Sequence, residues 1–434
     1  WTPIPPTTYT VTYDRNGETT TGNPPIDNSS PYTAGSTVTV LGNTGTPVLA
    51  KTGNTFAGWN TAANGLGTSY SPTESEIQAM YICNRNDLAY VIQPIQYTKK
   101  YKVVTQMGNQ GASGDGVRML QDWHTAGLIG DVHTIYCYTD RPVWPQGVNR
   151  PVLTTPSTIP TELDFDLWLG TAPQKDYFEG LLPFNWRGWW DYGTGALGDM
   201  ACHIMAPGFA VLGLGYPVAA ECSIATRYTA PWQKLDAPDS PPMGSHIILT
   251  FRGPFNKHKG KNKETEIKLH WMDGGIQPER PAELGPNEIF GDGGNGTLFI
   301  GTKGKMMCDT YGLNPRLLPL SKNENLQVAQ KYARVEGGDA GHYKQWVEAA
   351  IAGYGKKEVS SGFEIAGPLT EALLMANLAI RGYDVVRDEL GEDVYPGRSA
   401  KLLWDNDAMR ITNFDEVNQF VKRDYREGWK NLTL

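Results

Sequence analysis

The sequence is short of charge and of cysteine. Asp, Glu, Lys and Arg make up 19% of its 434 residues, and only five residues are cysteine. Those five (Cys83, Cys137, Cys202, Cys222 and Cys308) are scattered, with no C-x-x-C pair. That spacing argues against a zinc site and against a disulfide framework. Basic residues are not in excess. Lys and Arg number 38 against 46 Asp and Glu, and the net charge is −8. A nucleic-acid backbone is therefore not the expected partner. No uninterrupted apolar run approaches the roughly 20 residues that cross a bilayer, so no membrane span is expected. No signal peptide is recognisable, and the first residue is Trp1, as after removal of a leader. What is present is ordinary globular composition rich in turns, with 40% hydrophobic residues, 49 Gly and 30 Pro. The length accommodates two or three domains and a sizeable core.

Residues 1–80 differ from the rest. Thr, Gly, Asn and Ser dominate, and short alternating runs appear in YTVTYD (9–14), STVTVLG (36–42) and NTFAGWN (54–60). Turn residues bound each run, which predicts a small module of short strands. The segment from Tyr9 to Tyr70, with VTYDRNG, YTAGSTVTVLGN and KTGNTFAGWNTAANGLGTSY, resembles the Listeria–Bacteroides repeat, a β-grasp-like unit of the internalin B-repeat type. The resemblance implies an extracytoplasmic spacer or interaction unit and not a catalyst.

Residues 81–108 read as a join, with YKVVTQMG (101–108) as a strand. Ser113 is placed to cap a helix running through Ala126, with Gly127 just past its end. Alternation predicts strands at 131–139, 219–228, 246–253 and 265–274, and across GTLFIGTKGKMMCDTYG (296–312). The closing third turns helical at 342–353, 369–382 and 414–429, with 370–381 the strongest amphipathic pattern. Residues 109–434 therefore read as an α/β or α+β domain with a largely antiparallel sheet.

One stretch concentrates the chemistry: NWRGWWDYGTGALGDMACHIMAP, residues 185–207. Three tryptophans and Arg187 fall in five positions. Asp199 and His203, four apart, share one helical face. A carboxylate beside an imidazole orients the ring and favours its charged form, which suits proton transfer. The alternative is a core histidine satisfied by its neighbour. Pro207 should break the helix near His203. Two G-x-G-x-x-G matches occur, at Gly193-Gly195-Gly198 and Gly291-Gly293-Gly296. Neither has the strand–turn–helix context of a dinucleotide loop, since a tryptophan-rich run precedes the first and a strand follows the second. A pair of carboxylates for glycoside hydrolysis is present only nominally, as Asp164 and Asp166.

From about Asp87 onward the sequence resembles the Gfo/Idh/MocA oxidoreductases, through YKVVTQMGNQG, GLIGDVHTIYCYTDRPVWPQG, LDFDLWLGTAPQKDYFEGLLPFNWRGWWDYGTGALGDMACHIMAP, GTLFIGTKGKMM, NPRLLP, HYKQWVEAAIAG and GPLTEALLMANLAIR. The resemblance implies a Rossmann domain plus an α/β domain with an open antiparallel sheet. It implies NAD or NADP as cofactor, a sugar-like or cyclitol-like substrate, and homo-oligomer assembly through the sheet face. It assigns His203, helped by Asp199, to the substrate hydroxyl proton. It assigns Asn185, Trp186, Arg187 and Trp144 to the substrate cleft, where an arginine fork holds hydroxyls or phosphate and a tryptophan face stacks on a sugar.

The departures from that family are as informative. The N-terminal strand, glycine loop and helix are replaced by the β-rich repeat. The family's E-K-P maps onto Ile92-Gln93-Pro94, so Gln93 stands where a lysine meets cofactor and substrate, with Pro94 and Arg187 the remaining cofactor contacts. Ala112 replaces a histidine, and Ala206 an acid. The expected organisation is a repeat at 1–80, a join with a Rossmann remnant at 81–108, and a substrate and oligomerisation domain at 109–434. Two functional readings follow. One is an extracytoplasmic sugar oxidoreductase, or its substrate half, served by a separate Rossmann-domain partner. The other is a non-catalytic surface, assembly or carbohydrate-binding protein built on the same scaffold.

Overall fold

The structure is a computed structural model that describes residues 8–15, 21–33, 46–51, 59–60, 69–70, 98–148, 156–256 and 264–429. The chain divides into two compact units, Trp1–Gln78 and Ala79–Leu434.

In the first unit, Thr8–Tyr9 pairs antiparallel with Tyr32–Thr33, and Trp59–Asn60 with Ser69–Tyr70. An isolated bridge joins Thr21 to Ala50. The strand expected at 9–14 ends after Tyr9. Beyond it the backbone leaves the ladder, and Val11 N donates to the Ser30 hydroxyl at 3.0 Å. The run at 36–42 and most of 54–60 lie outside the described residues.

The second unit is built on a nine-stranded sheet. Its strands are β1 (Val132–Tyr138), β2 (Ala219–Ile224), β3 (Ser245–Gly253), β4 (Thr265–Met272), β5 (Gly296–Gly301), β6 (Gly304–Cys308), β7 (Arg316–Leu318), β8 (Leu402–Asp405) and β9 (Arg410–Ile411). The order across the sheet is β7-β6-β5-β1-β4-β3-β2-β8-β9. The β1–β4 pair is parallel, and the other described pairs are antiparallel. Alternation explains which face is covered. Ile135 and Cys137, Ile247, Leu249 and Phe251, and Ile267, Leu269 and Trp271 all point to one side and are sealed there. Burying each large apolar side chain in this way contributes roughly 1.5–3 kcal/mol.

The helices of this unit include α1 (Asp115–Thr125), α2 (Phe165–Leu169), α3 (Gly195–Ile204), α4 (Ala206–Leu212), α5 (His342–Ala352) and α6 (Phe363–Gly382). Of these, α1, α3, α4 and α6 pack into the core on that face, and α2 belongs to a separate apolar cluster. The break expected at Pro207 is found: α3 ends at Ile204 and Pro207 opens α4, where its missing N–H costs nothing. The helix expected at 370–381 is longer and is buried almost all round, because it meets β2 and β3 on one side and α3 on another. By length and composition the α3–α4 stretch and α6 could each cross a bilayer, against the sequence expectation of no such run. Both are mostly buried within the protein, as core helices are.

Three sequence expectations need correction. Residues 101–108 are not a strand: 98–101 are helical, and 103–107 form a segment without a ladder. Its groups are satisfied from α5 and the entry to α6, with Met107 N donating to Ser361 O at 2.8 Å and Trp346 Nε1 to Val104 O at 3.0 Å. Ser113 does not cap α1, whose N-cap is Gly114. The Ser113 hydroxyl instead meets His342 Nδ1 at 2.6 Å, 229 residues away in sequence. Residues 414–429 are helical only as a 3₁₀ turn at Asp415–Phe420. Beyond it, Arg426 fixes the chain to α2, donating from Nη1 to Asp166 Oδ1 at 2.6 Å and from Nε to Gly170 O.

Candidate functional site

The site is assembled around α3. Its first residue, Gly195, has φ +66°, and a side chain there would meet Pro241 and Gln146. Gln146 organises this end: its Oε1 accepts from Ala196 N (3.1 Å) and Trp144 Nε1 (3.0 Å), and its Nε2 donates to Pro242 O (2.7 Å). Sequence reading did not single out Gln146, because two of its three partners, Ala196 and Pro242, lie far along the chain. Gly193 closes on the backbone of Arg187, where an added Cβ would sit 2.7 Å from the Arg187 Cα. In the first G-x-G-x-x-G match, Gly193 thus serves close packing against the 3₁₀ turn Asn185–Gly188, and Gly195 against Pro241 and Gln146. In the second match, Gly291 nests on the Asn295 carbonyl and on Tyr138, leading into β5.

That packing brings Arg187 onto Asp199. Nε donates to Oδ1 at 2.6 Å, with both side chains about a quarter exposed or less. Nη1 donates to Phe184 O at 3.0 Å. The guanidinium carbon lies 4.7 Å from the ring centroids of both Phe184 and Trp186, and 5.8 Å from that of Trp144. A cation among three aromatic faces is held in plane and position. Asp199 was expected to orient His203. The structure shows it ion-paired with Arg187, because the 3₁₀ turn delivers a stronger partner than the imidazole.

His203, one turn further on, is half-buried. Its Nδ1 is sealed from solvent with no hydrogen-bond partner among the described residues. Burial holds the ring below its ordinary pKa, while Asp199 acts in the opposite sense. At neutral pH the imidazole is therefore uncharged. The Tyr311 ring meets it edge-on, with centroids 4.8 Å apart at 80°. Tyr311 sits at φ +64° in the turn Thr310–Gly312. That turn fits closely because two facing residues lack side chains: a Cβ on Gly116 would lie 2.1 Å from Gly312 O, and one on Gly111 2.7 Å from the Tyr311 Cβ. Asn109, just before Gly111, donates to Cys202 O at 3.2 Å, and its Oδ1 is buried without a partner. Tyr311 carried no sequence signal beyond a Tyr-Gly turn.

The remaining sequence candidates divide. Trp144 is buried with its indole N–H on Gln146, and Trp186 donates to Pro183 O at 3.2 Å. Both frame Arg187. The Asn185 amide is spent on Gly180 O at 2.8 Å, so it secures the turn. Trp189 is fully buried core. Gln93 and Pro94 lie outside the described residues. Asp164 caps α2 and Asp166 pairs with Arg426, so neither faces a sugar cleft as a catalytic pair. Among the described residues no group of three or more His, Cys, Asp or Glu is arranged to hold a metal ion.

Comparison with known proteins finds two family models that match parts of the chain. Residues 138–239 match the oxidoreductase family C-terminal alpha/beta domain of Gfo/Idh/MocA proteins, and residues 9–81 match the Listeria-Bacteroides repeat domain. The chain is a fusion of these two domain types. Solved structures to which part of the chain is similar include an oxidoreductase from Thermotoga maritima (11% identity, 67% of this chain and 66% of that one, TM-score 0.36). They include an NAD binding oxidoreductase from Klebsiella pneumoniae (14%, 67% and 67%, 0.38). They also include the WlbA dehydrogenase from Bordetella pertussis, in complex with NADH and UDP-GlcNAcA (12%, 69% and 67%, 0.38). The chain thus spans about two thirds of the length of each. No curated protein matches it in sequence.

Proposed function

We propose that residues 79–434 are the substrate-holding half of a Gfo/Idh/MocA-type oxidoreductase that acts on a sugar or cyclitol. The observation that carries this reading is His203: a neutral, half-buried imidazole beside a fixed Arg187–Asp199 pair. A neutral imidazole accepts a hydroxyl proton, which is what oxidation of a carbinol requires of the protein. Arg187 and Trp186 would hold the substrate ring, and Asp199 would act through Arg187 and through its charge on His203.

The family resemblance implies NAD or NADP. The described residues do not fit a dinucleotide: neither glycine motif forms a cradle at a helix N-terminus after a strand, and Gly193, Gly195, Gly291 and Gly296 are consumed in packing. No step is therefore assigned to the cofactor, and a separate dinucleotide-binding chain is the proposed source of it. The same misfit favours the second reading, a carbohydrate-binding or assembly protein that has kept the scaffold and lost the chemistry. The repeat at 9–81 supports an extracytoplasmic setting, and the open sheet face is the proposed contact between copies.

The test has two arms. Calorimetry with a panel of aldoses, sugar acids and inositols should find at least one ligand whose affinity falls in Arg187→Ala. NAD and NADP should bind the isolated chain weakly or not at all. If no sugar or cyclitol binds, the reading fails. If a sugar binds and no added dinucleotide-binding partner yields hydride transfer, the binding-protein reading replaces it.

A further inference from the structure

Away from His203, the last turn of α6 carries Arg381. Its guanidinium carbon lies 3.9 Å from the ring centroid of Phe420 and 5.5 Å from that of Trp190. Two aromatic faces thus fix the planar group and leave its N–H edge without a strong acceptor. Among the described residues it makes no ion pair and no hydrogen bond. Burial, and after it the nearby Arg423, bring its pKa down to about 10 against the opposing charge of Asp191. An arginine held in place without a hydrogen-bonded acceptor carries a desolvation cost that Asp191 relieves only in part.

Arg381 borders a pocket of about 580 Å3, also lined by Arg227, Lys234, Arg398 and Tyr395. Two acids line it, Asp236 and Asp384. Asp384 is shared: Lys234 and Arg398 both pair with it, the latter at 2.8 Å. One carboxylate therefore serves two cations, and Arg381 and Arg227 remain. This is a local excess of positive charge on a chain whose net charge is −8.

We propose that this pocket binds a small organic oxyanion, a phosphate or carboxylate borne on a sugar-sized body. The fork of Arg381 takes two oxyanion atoms in its plane, and Arg227 adds charge at the rim. The volume is that of a small-molecule site and exceeds what a bare phosphate fills, so the ligand carries an organic part. The inference rests on residues distinct from His203 and Arg187 and stands whether or not the chain is an oxidoreductase.

The experiment is calorimetric titration of the full chain with glucose 6-phosphate, gluconate, inorganic phosphate and uncharged glucose. At least one of the two organic anions should bind with sub-millimolar affinity that weakens as salt rises. Inorganic phosphate should compete with it, and glucose should not. Comparing the two organic ligands separates phosphate from carboxylate. Arg381→Gln should weaken binding at least tenfold, with Arg381→Lys recovering part of the loss. Because Arg381 also packs on Phe420, far-ultraviolet circular dichroism accompanies each variant. Arg227→Gln, at an exposed rim position, should weaken binding two- to fivefold with the fold intact. Absence of binding by either organic anion, or affinities unchanged in both Arg381→Gln and Arg227→Gln, overturns the proposal and leaves Arg381 as a clamp between α6 and Phe420.

Discussion

Arg187 Nε donates to Asp199 Oδ1 across 2.6 Å, so the carboxylate one turn before His203 is already neutralised by a cation from another element. Asp199 therefore influences the imidazole at a distance, as a charge that Arg187 largely offsets.

Removing the guanidinium exposes that influence. In Arg187→Ala the uncompensated Asp199 charge should raise the His203 pKa, and Asp199→Asn should lower it further than in the parent. Nuclear magnetic resonance titration of the His203 ring protons reads both shifts. Urea denaturation should show Arg187→Ala less stable by about 1–3 kcal/mol, the cost of leaving a charged, partly buried hydrogen-bonding group unpaired.

His203→Asn retains a polar side chain of similar reach and cannot act as a base near neutral pH. If the imidazole takes the hydroxyl proton, hydride transfer in the reconstituted system should fall roughly 10²–10⁴-fold. The melting temperature should change little, since no hydrogen bond is lost.

The Thr310–Gly312 turn depends on two absent side chains. Gly116→Ala places a methyl 2.1 Å from a carbonyl oxygen, and Gly111→Ala one 2.7 Å from Tyr311. Each should cost about 1–3 kcal/mol by chemical denaturation, since backbone on both sides must move. A control at Gly213 meets no neighbouring atom, but its φ of +65° still disfavours alanine, so a smaller loss is expected there.

Acid should destabilise the protein before most carboxylates titrate. Burial lowers the pKa of His203, His246, His270 and His342 below the ordinary 6.5, with His270 at about 4. A histidine held neutral in the folded state contributes stability that is complete above pH 6.5 and is lost as pH falls through its folded value. Unfolding free energy should therefore decline between about pH 6.5 and 4. His270→Asn should flatten that decline.

Glu371 titrates in the opposite sense. It is fully buried on α6, accepts from Trp404 Nε1 at 2.8 Å, and burial raises its pKa to about 7. Its protonated form is favoured in the fold, so its contribution is present below the ordinary carboxylate pKa and is lost as pH rises through about 7. Glu371→Gln keeps an acceptor for Trp404. It should raise the melting temperature at pH 8.5 relative to the parent, by less at pH 5.5 and little at pH 4.

Much of the second unit was legible because period-two alternation of apolar residues writes itself into strands such as 246–253 and 265–274, where Ile247, Leu249 and Phe251 alternate with His246, Ile248, Thr250 and Arg252. The α6 helix was found, but not its burial: the amphipathic pattern at 370–381 implied one apolar face, and the helix is buried almost all round. Residues 101–108 misled because β-branched residues do not reveal whether a ladder partner exists, and here side chains of α5 supply the bonds. Ser113 misled because its hydroxyl answers to His342, a contact no local pattern contains. At the site, the pairing of Asp199 was misassigned: spacing on one helix pointed to His203, while Arg187 arrives through a turn made possible by Gly193. Tyr311 escaped notice for want of periodicity.

The parallel pairing of β1 with β4 sets a schedule for synthesis. Strand β1 lies inside the sheet, yet both of its neighbours, β4 and β5, are encoded far downstream, the second ending at Gly301. At ordinary translation rates of about 5–20 residues per second, a finished β1 waits roughly ten to thirty seconds before its last neighbour is made. Throughout that interval Ile135 and Cys137 have no completed sheet to enter, and a nascent chain of this kind stands to gain from a holding chaperone.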